Sequence, residues 1–454
     1  MNDGTRAQVA NSVVETRRGR SGLIAVAVAL LFAREAPADV VRLQDLEALA
    51  SGHRPALDVQ RAQLAAARAD ADAARSAYYP TLSLNVDASA SPGGHLVHIT
   101  DSGGTEYLVP GSRTVGSADA FLPEARYGGT FSLQGKLYDF GRTRSATNAA
   151  DARVAESAAE QRASRDRVVA EVRSAYLDWL GAELLHIASQ RTLANARSRL
   201  DLVQARVDTG TRPRSELAPA RYDETLAELD ECESRRRVSA ARLSLERAVG
   251  APLSKDATPD TGLMDAAPPA GFSLDTADTV VLTKQRASAL AMAHFHDHES
   301  SPVLSATAEA GVRGQLADVF PTYKAAIALT VPFWDGGASA ARAARSRDEA
   351  AALNAEEREQ RMSVRSEHDR AASDWARSVE RVKLAESLYG TAVARARDVA
   401  DRYSLGQDPL ERLLEADAAV SRAEREVLLA RLARTDAALR LTSPDASVTS
   451  HPSP

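Results

Sequence analysis

Cysteine is nearly absent from this chain, because Cys232 is the only one. A single thiol cannot close a disulfide within the chain, and it cannot build a cysteine cluster around a metal. Aromatic residues are scarce, at 5% of the sequence, and acidic residues outnumber basic ones, so that the net charge is −6. A chain without a basic surplus offers no attractive field for nucleic acid. We therefore expect neither a disulfide scaffold nor a nucleic-acid partner.

The signatures of catalysis are missing as well. The sequence contains no Gly-rich phosphate loop, no HExxH motif and no nucleophile elbow. Its many acidic and basic residues are instead spread along alanine-rich stretches, as on the solvent face of long helices. We therefore expect a protein that is not an enzyme and that needs no cofactor.

A long apolar run occurs near the N-terminus, in Gly22–Ala33. Arginines precede this run, and the small-x-small triplet Ala36-Pro37-Ala38 follows it, which predicts a cleavable signal peptide over residues 1–38. The pair Arg17-Arg18 leaves a twin-arginine signal open, but the ordinary secretory type is the favoured interpretation. The run is shorter than the roughly 20 residues of a membrane-spanning helix. We expect an exported protein without an N-terminal lipid anchor, since no cysteine follows the cleavage site.

Two short stretches, Leu137–Ser145 (LYDFGRTRS) and Pro332–Ala340 (PFWDGGASA), look like versions of one motif. Each ends an alternating apolar stretch and opens a long segment rich in Ala, Arg and Glu. An offset of about 196 residues superimposes them without a gap. The same offset superimposes further pairs: Asp178-Trp179 on Asp374-Trp375, Gly210 on Gly406, and Pro213 on Pro409. We therefore predict a tandem duplication.

The duplication predicts the domain organisation. A first structural repeat covers residues 39–250, a Pro/Gly/Asp-rich linker covers 251–272, and a second repeat covers 273–442. Each repeat is predicted to contain a helix, two strands and a helical pair. The polar residues 443–454 are predicted to form a disordered tail.

Long helices dominate both repeats. Val41–Ala77 is helical by pattern, and the stretch 143–209 has no proline and repeats its apolar residues at three-four spacing. At 1.5 Å per residue, a helix of roughly 65 residues is about 100 Å long. Gly210 and Pro213 turn the chain into a returning helix that ends at Val249. The second repeat predicts a shorter helix over 276–298 and a helical pair that turns at Gly406 and Pro409.

Four stretches alternate with period two, which predicts four strands: Thr81–Ala90, Tyr127–Leu137, Leu304–Val312 and Tyr323–Phe333. The Gly/Ser/Pro-rich segment Ser91–Arg126 is predicted to be a loop. Aromatic residues gather near the strand ends, namely Tyr78, Tyr79, Tyr138, Phe140, Phe333 and Trp334. Such rings mark the lipid interfaces of transmembrane barrels, which need at least about eight strands. Four strands cannot close, so we infer that three chains share one barrel with a pore.

Four motifs together resemble the TolC-type outer-membrane efflux proteins: Tyr79–Leu84, Leu137–Arg142, Val331–Gly337 and Arg402–Gly406. The resemblance implies a mixed α and β membrane protein, in which a long antiparallel coiled-coil tunnel continues into a twelve-stranded β-barrel shared by a homotrimer. It implies a place in the outer membrane, surrounded by lipid, with a periplasmic helical extension. The implied function is the passive exit duct of a tripartite efflux pump or a type I secretion system. The implied partners are a periplasmic adaptor and an inner-membrane transporter of RND or ABC type.

The resemblance also implies a gate at the periplasmic end. An acidic residue six positions after the first turn glycine is Glu216, and a tyrosine three positions before the second is Tyr403. We therefore predict a Glu216–Tyr403 contact. The sequence then departs from the family's gate pattern at two positions. Asp408 stands where an arginine is expected, and Arg412 replaces one of two acidic constriction residues. Glu415 retains the other acidic residue. The alternative interpretation of these charges is that they are solvated residues at helix ends.

A histidine run, His294, His296 and His298, is the nearest approach to a metal site. Alternate histidines share one face of an extended segment and could then bind a transition metal. On a helix they point in different directions, so the favoured interpretation is a surface run and no metal site.

A soluble periplasmic scaffold is the alternative function. Its coiled-coil helices would bind partners, and its strands would form only a small cap. Recovery of the mature protein without detergent would favour this alternative.

Overall fold

The computed structural model describes residues 39–92, 96–100, 106–110, 123–265, 273–315 and 318–442. The predicted signal peptide, the predicted C-terminal tail and part of the predicted linker lie outside the described residues.

Each repeat begins with a shorter helical segment. The first contains α1 (Leu43–His53) and α2 (Pro55–Ser76), and the second contains α5 (Ala277–Asp297). The prediction of one unbroken helix over 41–77 was wrong at Arg54, which adopts an extended conformation. Arg54 precedes Pro55, and the ring of a proline disfavours the helical conformation in the residue before it.

Two very long helices follow the sheet strands of the two repeats. α3 (Arg142–Asp208) and α6 (Ala338–Ser404) contain 67 residues each. Their returning partners, α4 (Leu217–Val249) and α7 (Leu410–Thr442), contain 33 residues each. α3 packs against α4, α6 packs against α7, and α5 lies between α3 and α6. The described helices include none with both the length and the apolar character that a membrane crossing requires.

The four long strands form one antiparallel sheet. The first repeat contributes β2 (Thr81–Pro92) and β5 (Pro123–Tyr138), and the second contributes β7 (Val303–Gln315) and β8 (Asp318–Thr330). The strand order is β2-β5-β7-β8, so β2 and β8 are the edges. The two halves of the chain therefore join at the β5–β7 pair, where Phe131 lies opposite Ala310.

Four further strands were not predicted. β1 (Asp39–Val41) pairs in parallel with β6 (Ala257–Pro259), and β3 (Leu96–Thr100) pairs with β4 (Glu106–Pro110). The loop prediction for Ser91–Arg126 was therefore wrong within the described residues, because β2 and β5 also extend into it. Glycine, serine and proline mark local interruptions, but pairing between distant strands overrides them.

The main apolar core lies where the ends of the helical segments meet. Trp179 and Tyr176 on α3 are both fully buried there, against α1 and the end of α4. The Tyr176 hydroxyl donates to the carbonyl of Val41 at 3.1 Å and accepts from the backbone N–H of Asp260 at 2.7 Å. These bonds tie the small parallel sheet to the long helix. Burial raises the pKa of Tyr176 to about 12, so this hydroxyl remains a donor.

Candidate functional site

The repeated motif that joins strand to helix has the same local geometry in both repeats. Gly141 and Gly337 precede α3 and α6 with left-handed φ values of +92° and +85°, which glycine adopts without a steric penalty. Asp139 accepts a hydrogen bond from the backbone N–H of Thr143 at 2.7 Å, and Asp335 accepts one from that of Ser339 at 2.8 Å. Each carboxylate thus satisfies a free N–H of the first helical turn. The motif recurs because a long helix begins directly after it in both repeats.

The four-stranded sheet is apolar on one face and polar on the other. The apolar face contains Leu84 opposite Phe131, and Leu304 opposite Leu329. The polar face carries Asp87 and other side chains, including Thr81, Ser83, Asn85, Glu309 and Lys324. The apolar side chains are largely exposed, with 91% for Tyr323. No described helix packs across this face, so the chain presents a wide apolar surface.

The two helical pairs turn in the same way. Gly210 and Gly406 follow α3 and α6 with φ values of +70° and +78°. The N–H of Thr211 donates to the carbonyl of Arg206, and the N–H of Gln407 donates to that of Arg402, both at 2.9 Å. These bonds, with the left-handed glycine, make a Schellman cap at each helix end. The predicted prolines Pro213 and Pro409 stand three residues after each glycine and prevent the helix from continuing.

The structure brings Glu216 and Tyr403 together between the two turns. The Tyr403 hydroxyl donates a hydrogen bond of 2.9 Å to Oε2 of Glu216. Tyr403 is fully buried and Glu216 nearly so, against the apolar residues Val203, Leu410 and Ala220. Burial, followed by the hydrogen bond and the charge of Glu216, raises the pKa of Tyr403. The bond connects the end of α6 to the start of α4 within one chain.

Arg212 completes this cluster, and sequence reasoning missed it. Its Nη2 atom donates to the carbonyl of Tyr403 at 2.6 Å, and its Nη1 atom donates to Oε1 of Glu216 at 3.4 Å. Its guanidinium also lies 4.3 Å from the centre of the Tyr403 ring, a distance suited to a cation–π interaction. A signal was present in the repeat, because Arg212 stands two residues after Gly210, just as Asp408 does after Gly406.

The second turn carries the same ion pair with the charges exchanged. Arg412 donates to Asp408 Oδ1 at 2.9 Å, whereas in the first turn Arg212 pairs with Glu216 at the same i,i+4 spacing. Asp408 is buried, but Arg412 is largely exposed, and Glu415 is exposed further along α7. The resemblance implied an arginine two residues after the second turn glycine, and the structure has one two residues after the first turn glycine, at Arg212.

The predicted histidine run does not form a common face. His294 and His296 lie on α5 and His298 caps its end, so the extended segment that a metal site required is not present. Nδ1 of His298 bonds to the carbonyl of His294, and Nδ1 of His296 lies 3.2 Å from Oε2 of Glu299. The described residues contain no group of three potential ligands positioned around one metal ion.

The long helical pairs and the four-stranded sheet give the chain the fold of solved outer-membrane channel proteins. CusC has a similar structure, with a TM-score of 0.74 at 15% identity over 89% of this chain and 91% of that one. The CmeC channel of Campylobacter jejuni gives 0.73 at 14% identity over 96% and 94%. The open MtrE channel of Neisseria gonorrhoeae gives 0.70 at 20% identity over 89% of each chain. At these identities the similarity is one of fold.

Residues 47–251 match the family model of the outer membrane efflux proteins. No curated protein is similar enough in sequence to count as a relative. The match covers nearly the whole first repeat, and the common fold extends over both repeats. This match over the first repeat, together with the common fold over both repeats, confirms the resemblance to TolC-type outer-membrane efflux proteins and the prediction of an outer-membrane exit duct.

Proposed function

We propose that three copies of this chain close a single barrel and a single helical tunnel, which together form a passive duct from the periplasm to the exterior. The observation that carries the proposal is the four-stranded sheet with an exposed apolar face and two unpaired edges. Unpaired backbone groups at an edge cost several kcal/mol each in lipid. Three such sheets supply about twelve strands, enough for a barrel with an aqueous pore.

The polar face of the sheet then lines the pore. It carries hydroxyls, amides and charges of both signs, whereas the opposite face carries aliphatic and aromatic side chains. This alternation is the pattern of a barrel in lipid with water inside. A periplasmic adaptor and an inner-membrane transporter of RND or ABC type would supply the cargo and the energy, because the sequence has no Gly-rich phosphate loop of its own.

The cluster at the two turns acts as the gate of this duct. Tyr403, Glu216 and Arg212 join the helical pair of the first repeat to that of the second. Opening the periplasmic end requires the two pairs to separate, which breaks these bonds inside a buried site. Hydrogen bonds to charged groups contribute about 1.5–3 kcal/mol each, so several copies of the cluster favour the closed state. A docking partner opens the gate by binding the separated arrangement more tightly.

The assembly is tested by the mass of the detergent-extracted protein. Multi-angle light scattering should give three chains per particle, after correction for bound detergent. A stable monomer that keeps its β-structure by circular dichroism would contradict the shared barrel, because such a monomer would have to protect both edge strands in another way. Recovery of mature protein from the periplasm without detergent would instead favour the soluble scaffold.

A further inference from the structure

The two repeats share one sheet register. An offset of about 196 residues superimposes β5 on β8, α3 on α6 and α4 on α7, and an offset of about 222 residues superimposes β2 on β7 and α2 on α5. With these offsets, the pair Thr81–Gln134 of the first hairpin corresponds to Val303–Thr330 in the second. The second hairpin has that pair in register. A pairing in one repeat therefore identifies the pairing at the matching positions of the other.

The helices follow the same correspondence. Arg75 on α2 pairs with Asp151 on α3 at 2.6 Å. The matching positions on α5 and α6 hold Asp297 and Arg347, which also pair at 2.6 Å, with the charges exchanged. The contact has therefore been kept although the residues changed.

One junction inside the chain joins the first repeat to the second. β5 of the first repeat pairs with β7, and α3 packs against both α5 and α7. Three pairs define the register of this junction, namely Phe131 opposite Ala310, Gln285 donating to Glu160 at 3.4 Å, and Thr192 donating to Ser421 at 3.4 Å.

The surfaces that match this junction at the two sides of the chain are uncovered. β8 and β2 are the edges of the sheet. The residues at the positions that match the three pairs are all exposed, namely Ile327, Ala88, Glu356, Gln63, Leu388 and Thr225. One side of the chain carries β8 and α6, and the other side carries β2, α2 and α4. A second copy of the chain therefore offers the half of the junction that the first copy lacks.

We propose that copies of this chain join by repeating the internal junction, so that β8 and α6 of one copy contact β2, α2 and α4 of the next. The register is given by three pairs in which the second residue belongs to the next copy: Ile327–Ala88, Glu356–Gln63 and Leu388–Thr225. Such a head-to-tail contact closes a ring when it repeats. The inference rests on the proposed function, since it gives the shared barrel and tunnel their residue contacts.

Two observations support this register independently of the offsets. Ile327 and Ala88 both belong to the apolar face of the sheet, so the pairing keeps the apolar faces of neighbouring copies continuous. The pair Glu356–Gln63 has the same two residue types as its counterpart inside the chain, although neither residue is buried there. Both residues would gain a partner at the contact between copies.

The junction between copies is weaker near the helical turns. Inside the chain, Arg199 on α3 pairs with Asp417 on α7 at 3.0 Å. The matching positions hold Arg395 and, on the next copy, Arg221, which carry like charges and repel each other. The sheet and the middle of the tunnel therefore hold the copies together, and the turns do not.

Disulfide cross-linking in the detergent-extracted trimer tests the register of the helices. Leu388→Cys and Thr225→Cys are combined with Cys232→Ser, which removes the only native thiol. We expect mild oxidation to give covalent dimers and trimers on a denaturing gel. The matched control is Leu388→Cys alone, because its nearest thiol is then the exposed native Cys232, about 10 Å further along α4. We expect at least fivefold less cross-linking in this control.

A second pair tests the register of the strands. Ile327→Cys with Ala88→Cys, also in the Cys232→Ser background, should cross-link between copies. Tyr323→Cys with Ala88→Cys places the thiols roughly 13 Å apart along the strand and should cross-link at least fivefold less. Light scattering of every variant before oxidation separates the two proposals. Equal or stronger cross-linking of the controls in an intact trimer would overturn the register alone, as would absence of cross-links in all variants. A monomer without cross-links would contradict both the register and the shared barrel.

Discussion

The Tyr403 hydroxyl lies 2.9 Å from Oε2 of Glu216, although the two residues are 187 positions apart in the chain. This contact links the two repeats at the end of the molecule where both helical pairs turn. Arg212 stabilises this contact, because it donates hydrogen bonds both to Glu216 and to the backbone carbonyl of Tyr403. Three side chains from two turns therefore form one buried unit, and separation of the helical pairs must disrupt it.

Removal of the Tyr403 hydroxyl should loosen the gate. Tyr403→Phe keeps the ring in its apolar site but leaves the Glu216 carboxylate without this donor, so each chain loses about 1.5–3 kcal/mol of closed-state stability. We expect conductance across a planar bilayer to rise at least tenfold while the trimer persists. Tyr389→Phe, on an exposed part of the same helix, is the matched control and should leave conductance unchanged. Unchanged conductance in Tyr403→Phe would exclude this bond as the latch.

Arg212 should matter through its geometry as well as its charge. Its guanidinium bonds to Tyr403 and Glu216 and stacks on the Tyr403 ring, and a lysine ammonium cannot reproduce that planar arrangement. Arg212→Lys and Arg212→Gln should therefore both raise conductance. Arg402→Gln removes only an exposed pair with Asp398, worth at most about 1 kcal/mol, and should have little effect. Full rescue by lysine would show that only the charge is needed.

Replacement of Gly337, the left-handed glycine before α6, by alanine should destabilise the fold through its backbone conformation alone. A Cβ added at Gly337 meets no atom within 4 Å, yet its φ is +85°. Gly337→Ala should lower stability by about 1–2 kcal/mol, measured as a reduced midpoint of thermal unfolding. Gly129→Ala also adds a methyl group in open space, but without a positive φ, and should shift the midpoint much less. Equal shifts would show that the turn tolerates the strain.

A lysine should distinguish the two faces of the sheet. Leu84 lies on the apolar face and Asn85, the next residue, on the polar face. Leu84→Lys places a charge against lipid and should destabilise the folded barrel by about 2–4 kcal/mol near the bilayer midplane. Asn85→Lys faces the aqueous pore and should fold into vesicles as the parent does. Equal folding yields of the two variants would contradict the assigned orientation.

The cluster around Arg199 should make stability depend on pH. Arg199 pairs with Asp223 at 2.6 Å and with Asp417 at 3.0 Å, and so connects α3, α4 and α7. Burial raises the pKa of Asp417 despite the attraction of Arg199, with Asp223 adding to the rise. The folded state thus holds this proton more tightly than the unfolded state. Stability from this group is present below the unfolded pKa and is lost as pH rises through the folded one.

The Asp417→Asn variant tests this dependence, because an amide does not titrate. The fall in thermal midpoint between about pH 4 and pH 7 should be smaller in the variant than in the parent. Asp401→Asn, which changes an exposed carboxylate on α6, is the control and should keep the parental profile. A variant profile parallel to that of the parent would exclude Asp417 as the titrating group.

Local patterns in the sequence were sufficient to predict most of the helices and the strands of the four-stranded sheet. Period two located the four strands of the sheet, and three-four spacing located α3 within one residue at each end. The repeated Asp and Gly residues marked where strands change into helices, because these positions need a carboxylate acceptor and a positive φ. The Glu216–Tyr403 contact was predicted through the resemblance, since nothing in local spacing relates two residues so far apart.

Other features depended on residues that meet only in the folded chain. β1 pairs with β6 across the whole length of the first repeat, and a three-residue strand has too few positions to show a period. In the sequence, Arg212 looks like an ordinary arginine at a helix end. Its contact with Tyr403 forms only because the folded chain places the second turn against the first. The identities of residues determine which turns, faces and helices are possible, because those depend on neighbours in sequence. Tertiary packing decides which groups pair with a buried charge. A buried arginine without acceptors would be strongly destabilising, so it bonds to the acceptors that the fold places near it.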